Sequence, residues 1–336
     1  MKITILTNDF LPSVGGIEIF TKLIAEEMAL RGHQISIVTN TPNKNKKDIG
    51  LFSIYRKNNF YSKFKVFKNS DLIIAINMSL KNFIFYLIFI KKIIISHHIN
   101  YESNSFLGIF LNKIKKKLCI FFTNVTCSNY LNSKFNNNNQ VIYNCYNDKI
   151  FKINKIKKTK DFIYCGRLDP NKGLMNLLNA FYLLLKKKKS NLSIVGDGPQ
   201  YLELKEFIKK RKMQKYVKLY GNMQNNKLYN IMNTHTAMII PSLHYETFGI
   251  VALEGIASTN IVISSNRGGL NEAIGKCGIL IEPSIKNLYI KMLDVKLRDK
   301  KILKKIKEIS LTRQKHLKKF SIKKITNDFL KLHEKL

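Results

Sequence analysis

The chain has 336 residues, with 58 lysines and arginines against 22 aspartates and glutamates, a formal charge of +36 and a hydrophobic content of 45%. That length predicts two domains, each able to bury its own core, and the ordinary apolar content with scattered turn residues excludes a long disordered tail. The charge admits nucleic acid, an anionic membrane surface or phosphate-rich ligands without choosing among them. Because the excess is mostly lysine, alongside abundant Asn, Ile and Phe, a coding bias toward A and T accounts for it as readily as function does.

In the opening residues Thr7, Asn8 and Asp9 arrive too early for the apolar core of a signal peptide, so the expectation is a chain that stays in the cytoplasm. Residues 3–7 predict a buried strand, and Ile17, Phe20, Ile24 and Met28 recur at helical spacing up to Arg31 and Gly32. Residues 34–39, 71–76 and 93–96 predict strands, and 80–90 a helix. The apolar stretch 82–96 is split by Lys91 and Lys92, and each run is far below the ~20 residues of a membrane span, so a buried helix followed by a buried strand is expected. The asparagine run 136–139 reads as a surface loop. Residues 148–160 are polar and lysine-rich, and the alternation then restarts with a strand at 161–165. A helix at 175–185, strands at 192–195 and 217–220, a helix at 201–210 between them, and strands at 237–240 and 261–264 complete a second set. Strands alternating with helices predict an α/β protein of two Rossmann-like domains, residues 1–150 and 151–319, with ligands at the carboxyl ends of the strands and a cleft between the domains. Cys119, Cys127, Cys145, Cys165 and Cys277 are odd in number and widely spaced, which predicts reduced thiols and no zinc site.

Two stretches carry chemistry. After the strand ending at Ile240 comes Pro241-Ser242-Leu243-His244-Tyr245-Glu246-Thr247-Phe248-Gly249, with a helix predicted to begin near Gly249 and to hold Glu254. A helix start presents unpaired amides and partial positive charge, which suits a phosphate or a sugar edge. Glu246 and Glu254 are expected on the order of ~10 Å apart at ~1.5 Å per helical residue, about the span from a transferred sugar across a diphosphate to a ribose. The second stretch, Gly166-Arg167-Leu168-Asp169-Pro170-Asn171-Lys172-Gly173, places two cations on the loop after a strand, where they can neutralise a departing diphosphate. Taken singly, most glutamates and lysines of this kind are solvated surface groups; it is their joint occurrence that points to a site.

Together these stretches resemble the retaining GT-B glycosyltransferases of family 4, the glycosyl transferases group 1. Glu246 and Glu254 match the family's pair of glutamates separated by seven residues, and Gly166-Arg167-Leu168 with Lys172-Gly173 match its G-R-L and K-G signature. Val195-Gly196-Asp197-Gly198-Pro199 resembles its G-D-G-P turn, Arg267-Gly268-Gly269-Leu270-Asn271-Glu272 the segment beyond the glutamate helix, and residues 10–18, with Gly15 and Gly16, the first-domain glycine loop. Residues 320–336 are similar to the final helix that crosses back to the first domain. The run Ala257-Ser258-Thr259-Asn260-Ile261 departs from the family by lacking a glycine and a proline.

The resemblance implies a GT-B fold with the two domains facing across a cleft, and transfer of a sugar from a nucleotide-diphosphate sugar to an acceptor. It implies that Arg167 and Lys172 hold the diphosphate, that Glu254 holds the ribose and that Glu246 holds the transferred sugar. Backbone groups of Thr247, Phe248, Gly249, Ile250 and Val251 would contact sugar and phosphate, Gly15 and Gly16 would close over them, and His97 or its neighbour His98 would stand near the reacting centre. No cofactor is implied, and no D-x-D occurs in the chain, so the expectation is metal independence, with Arg167 and Lys172 supplying the charge neutralisation. The family also points to an acceptor that is a lipid-linked saccharide of bacterial cell-surface polysaccharide or lipopolysaccharide assembly, met at the inner face of the cytoplasmic membrane. Residues 109–118 set Leu111, Ile114 and Leu118 on one helical stripe with Lys113, Lys115, Lys116 and Lys117 beside and opposite it. That pattern fits a helix lying on an anionic bilayer, or an ordinary domain helix with its stripe on the sheet. The alternatives are a basic nucleic-acid-binding protein, which the charge alone suggests but no zinc spacing or RNA-recognition signature supports, a nucleotide-sugar-binding protein without catalysis, and a GT-B enzyme of other chemistry such as an epimerase or phosphorylase.

Overall fold

The computed structural model describes residues 1–13, 15–43, 50–56, 59–103, 105–135, 139–154 and 156–334. Val14 of the glycine loop and asparagines 136–138 of the expected surface loop lie outside the described residues. The chain divides into two compact units, Met1–Cys145 with Phe320–Leu336, and Tyr146–Lys319.

The first unit runs β1 (Lys2–Thr7), α1 (Gly16–Leu30), β2 (Gln34–Thr39), β3 (Ser53–Arg56), α2 (Phe60–Lys68), β4 (Leu72–Ile76), α3 (Phe83–Ile88), β5 (Ile93–His97), α4 (Phe106–Cys119), β6 (Thr123–Thr126), α5 (Asn129–Ser133) and β7 (Gln140–Val141). Its strands form one parallel sheet in the order β3-β2-β1-β4-β5-β6-β7. A strand covered on both faces is mostly apolar, and β4 and β5 are buried at every position, with Ser96 and His97 at the end of β5 as the polar exceptions. Polar caps start several of the helices: Asn59 accepts from the Ser62 amide, Ser105 from that of Gly108 and Ser128 from that of Leu131.

The second unit runs β8 (Lys160–Cys165), α6 (Leu174–Leu185), β9 (Leu192–Val195), α7 (Tyr201–Lys210), β10 (Val217–Leu219), α8 (Asn225–Asn233), β11 (His235–Ile240), α9 (Ile250–Ser258), β12 (Ile261–Ser265), α10 (Leu270–Ile274), β13 (Ile279–Ile281), α11 (Ile285–Leu297) and α12 (Lys300–Lys318). Its sheet is parallel, in the order β10-β9-β8-β11-β12-β13. The last helix, α13 (Ile322–His333), belongs to the first unit. There Phe329 packs 6.3 Å from Phe20 of α1, and Arg31 donates to Asn327 Oδ1 at 2.5 Å and to the Lys323 carbonyl at 3.1 Å. Both units therefore have the expected Rossmann-like build of the GT-B fold. In each the strand order reverses direction beside the unit's first strand, between β1 and β4 and between β8 and β11, and the loops that leave β1, β8 and β11 are among those singled out by motif.

One expectation changes, and one left open is decided. The helix expected over 80–90 is broken into a 3-10 turn Leu80–Asn82, α3, and a second 3-10 turn Ile90–Lys92, and it is buried only on its Phe85 and Tyr86 face, while Ile84, Leu87 and Ile88 are exposed. The stripe Leu111, Ile114 and Leu118 of α4 is half-buried, with Leu118 packed on the core of the first unit. Of the four lysines, Lys115 lies over the Tyr101 ring and Lys116 over that of Phe135, so only Lys113 and Lys117 point outward. Packing decides this: Leu118 joins the cluster that holds Ile93 and Ile95 of β5. Among the described residues no helix is long and apolar enough to cross a membrane.

Candidate active site

The second unit brings its two marked stretches together. Strands β8 and β11 are adjacent and parallel, with Ala237 opposite Phe162, so the loops after Cys165 and after Ile240 leave the same edge of the sheet. They interlock through the backbone: the Leu243 amide donates to the Asn171 carbonyl at 2.8 Å. Gly173 is forced by this contact, since its φ is +71° and a Cβ there would meet the Pro241 carbonyl oxygen at 2.1 Å. The G-D-G-P turn buttresses the first loop from behind: the Gly166 amide donates to the Val195 carbonyl at 3.0 Å, and that of Leu168 to the Asp197 carbonyl at 2.9 Å.

This interlock delivers Lys172 to Glu246, Nζ to Oε1 at 2.6 Å, with both side chains mostly buried. Ser242 Oγ donates to the same carboxylate oxygen at 2.7 Å, and His244 Nε2 lies 3.6 Å from the other. Burial alone would raise the Glu246 carboxyl. Lys172, His244 and Ser242 outweigh it and hold the group below its ordinary value, so it is ionised at neutral pH. Arg167 is exposed on the loop, and the Tyr164 hydroxyl fixes its backbone by donating to its carbonyl at 2.8 Å.

Helix α9 starts at Gly249, whose φ of +101° and 2.5 Å approach of Leu270 Cδ2 to a would-be Cβ allow no other residue without strain. Its first turn leaves the amides of Ile250 and Val251 without intrahelical acceptors at the positive end of the helix dipole. Phe248 is buried as an anchor and Thr247 is half-buried beside it, while the Gly269 amide donates to the Glu246 carbonyl at 2.8 Å, tying the 267–272 segment to this loop. Glu254 lies one turn further in, 8% exposed and close to Cys165 at the end of β8. Burial pushes its carboxyl up to about 8, so in the free protein it is mostly protonated at neutral pH. The two glutamates thus sit in opposite charge states, one paired and ionised, one buried and neutral. At the far end of α9, Lys158 donates to the last carbonyls of α8 and α9, Asn233 at 2.8 Å and Ser258 at 2.6 Å, opposite in sign to the helix C-terminal dipole.

Ser242, His244 and Asn171 fall within the two stretches, but sequence reasoning gives them no role. Their signal is position: Ser242 and His244 flank Glu246 on a loop that doubles back after a strand, and Asn171 precedes the lysine that Glu246 binds.

The remaining predicted residues lie in the first unit. Gly15 caps α1 and Gly16 is its first residue, on the loop that leaves β1 at the reversal point. His97 ends β5, wholly buried, its Nδ1 3.0 Å from the Tyr101 hydroxyl and its Nε2 2.9 Å from Asn124 Oδ1. His98 is equally buried, against the Phe20 ring at 4.7 Å and with Nε2 2.8 Å from Ser96 Oγ. Burial lowers both imidazoles, His97 to about 4 and His98 to about 3, so neither is charged at neutral pH.

Residues 146–312 match the sequence profile of the family described as Glycosyl transferases group 1. The chain is 32% identical over 126 residues to glycogen synthase of Mycobacterium tuberculosis, a match covering 37% of this chain and 30% of that protein. It is 30% identical over 152 residues to lipopolysaccharide 1,2-N-acetylglucosaminetransferase of Salmonella typhimurium, covering 41% of this chain and 39% of the relative. The matched stretch thus spans well under two thirds of either relative. In three dimensions it resembles Anabaena HepE, solved in complex with UDP, with a TM-score of 0.80 at 18% identity and all of both chains covered.

Proposed function

We propose that the chain, whose residues 146–312 match the Glycosyl transferases group 1, is a retaining, metal-independent glycosyltransferase that moves a sugar from a nucleotide-diphosphate sugar to an acceptor. The observation that carries this reading is the Lys172–Glu246 pair, 2.6 Å long, held where two strand-end loops interlock beside the start of α9.

In this reading the departing diphosphate is met by Arg167, by Lys172 and by the first-turn amides of α9. Lys172, held by Glu246, and the amides, fixed by the helix, are oriented before the bond breaks, so they stabilise developing negative charge with little reorganisation, and Arg167 joins them from its exposed position on the loop. In this reading two cations do the work a divalent ion would otherwise do. Glu246, ionised and anchored by Lys172 and Ser242, accepts hydrogen bonds from hydroxyls of the transferred sugar, while Glu254 accepts from the ribose. Thr247, Phe248, Gly249, Ile250 and Val251 line the backbone path between them. His97, whose ring nitrogens are already engaged by Tyr101 and Asn124, acts as a positioning residue for the loop that follows β5.

The UDP bound to Anabaena HepE supports a uridine nucleotide as the leaving group. The Salmonella relative's name supports an acceptor of the lipopolysaccharide type, and we take that acceptor to be a lipid-linked saccharide met at the inner face of the cytoplasmic membrane. The test is a panel of UDP-, GDP- and ADP-sugars scored by thermal stabilisation, followed by product analysis with the stabilising donor. Stabilisation by one donor and release of its nucleoside diphosphate with a retained anomeric centre is the expected result; no stabilisation by any donor overturns the reading, and an epimerised donor reassigns the chemistry.

A further inference from the structure

The outward face of α4 is apolar and basic at once. Phe106, the neighbours Ile109 and Phe110, then Lys113, Lys117 and Ile120 lie three or four residues from one another apart from that adjacent pair, which keeps them on one broad side of the helix, and all six are exposed. Phe106 is 88% and Ile120 81% exposed, values at which a large apolar side chain contributes nothing to the core. This side of α4 does not stand alone. Directly after α4, Phe122 packs on Phe83 and Tyr86 of α3, at 6.2 and 5.9 Å, which ties the end of α4 to α3, and Ile84, Leu87 and Ile88 of α3 are exposed, as are Ile120 and Phe121.

The charge around this face is one-sided. Residues 72–147 hold eight lysines and a single acid, Glu102, whereas the whole chain holds 22 acids in 336 residues. Coding bias toward lysine does not by itself clear acids from one region, and a surface of exposed aromatics interspersed with lysines is matched by the interface of an anionic bilayer, where rings enter the headgroup zone and ammonium groups meet lipid phosphates.

We propose that this face, built from α4 and α3, seats the protein on an anionic lipid surface. The proposal goes beyond the transfer reading and is independent of it, because binding to vesicles requires neither donor nor acceptor. It also reverses the side of α4 that sequence periodicity marks: Leu111, Ile114 and Leu118 turn inward, and the membrane meets the opposite face.

The chain contains no tryptophan, so Phe110→Trp introduces a single reporter. The full-length protein is mixed with phosphatidylcholine vesicles with and without one quarter phosphatidylglycerol, at low and high salt, and scored by flotation and by Trp emission. Expected are salt-sensitive flotation with the anionic vesicles only, and a blue shift of the Trp reporter. Each lysine at such a surface is worth about fivefold in partitioning, so Lys113→Gln with Lys117→Gln lowers binding about 25-fold. Phe106→Ser with Phe110→Ser abolishes binding at high salt. The same charge is removed from α12 by Lys304→Gln with Lys307→Gln, exposed positions on the second unit; equal loss in that variant attributes the attraction to net charge and overturns the proposal. No flotation at low salt, or an unshifted Trp emission in bound protein, also overturns it. A lipid-free dimer dispersed by Phe106→Ser with Phe110→Ser assigns the face to a second copy of the chain instead.

Discussion

Glu254 offers a quantitative test of the site, because its buried carboxyl must change charge to serve a ribose. In the free protein burial raises it from 4.5 to about 8. At pH 7 the ionised form is then about a tenth of the population, and ionising it costs about 1 kcal/mol. Two ribose hydroxyls donating to the carboxylate favour the ionised form, so nucleotide binding at pH 7 expels close to one proton. Affinity for a nucleoside diphosphate rises about tenfold from pH 7 to 9, most of it below pH 8, a range in which the diphosphate itself no longer titrates. Isothermal titration in buffers of different ionisation enthalpy measures the proton directly. Glu254→Gln removes both the proton release and the pH slope. The sign for folding is the reverse. Between 4.5 and about 8 the folded chain holds this proton and the unfolded chain does not, so the stability present below pH 4.5 is lost as pH rises through 8, by up to about 5 kcal/mol. Glu254→Gln flattens that loss. Binding that is flat from pH 7 to 9, or a slope that persists in Glu254→Gln, refutes the assignment of this residue to the ribose.

Three further expectations follow from the same geometry. Arg167→Ala and Lys172→Ala each lower turnover by about 10²–10³, the few kcal/mol that an oriented charge at a leaving group provides; wild-type rates in both variants, with folding intact by circular dichroism, would remove the diphosphate role. Glu246→Ala leaves nucleoside diphosphate affinity nearly unchanged in calorimetry while transfer falls sharply, in contrast to Glu254→Ala, which weakens nucleotide and donor binding alike; equal loss of nucleotide affinity in the two variants contradicts the division of labour. Lys158→Met removes the ammonium that caps α8 and α9 and lowers the melting temperature of the second unit by about 4–8 °C, the equivalent of about 2 kcal/mol, and an unchanged melt shows that the caps contribute nothing.

Several elements were legible residue by residue. Strands β2 and β9 and helix α7 have the bounds that periodicity predicts, Gln34–Thr39, Leu192–Val195 and Tyr201–Lys210, because each is a strong apolar pattern between clear turn signals. Edge strands β3, β7 and β13 and the short α5 and α10 were not legible. Half-exposed strands of a few residues carry too little apolar pattern to separate from loop, and it is pairing to a neighbour that makes them strands.

The amino-acid sequence by itself determined the alternation that makes two Rossmann-like units, the glycines and charges of the two strand-end loops, and the family, since each depends on residue identity and short-range spacing. Only the tertiary structure decided that Ser242 and His244 share Glu246 with Lys172, that Glu254 is buried and neutral while Glu246 is ionised, and that His97 is closed in by Tyr101 and Asn124. It also decided which face of α4 meets the sheet. A helix with apolar residues on two sides satisfies its period with either one, and the choice falls to whichever side the neighbouring sheet can cover, a long-range packing event that no local pattern records.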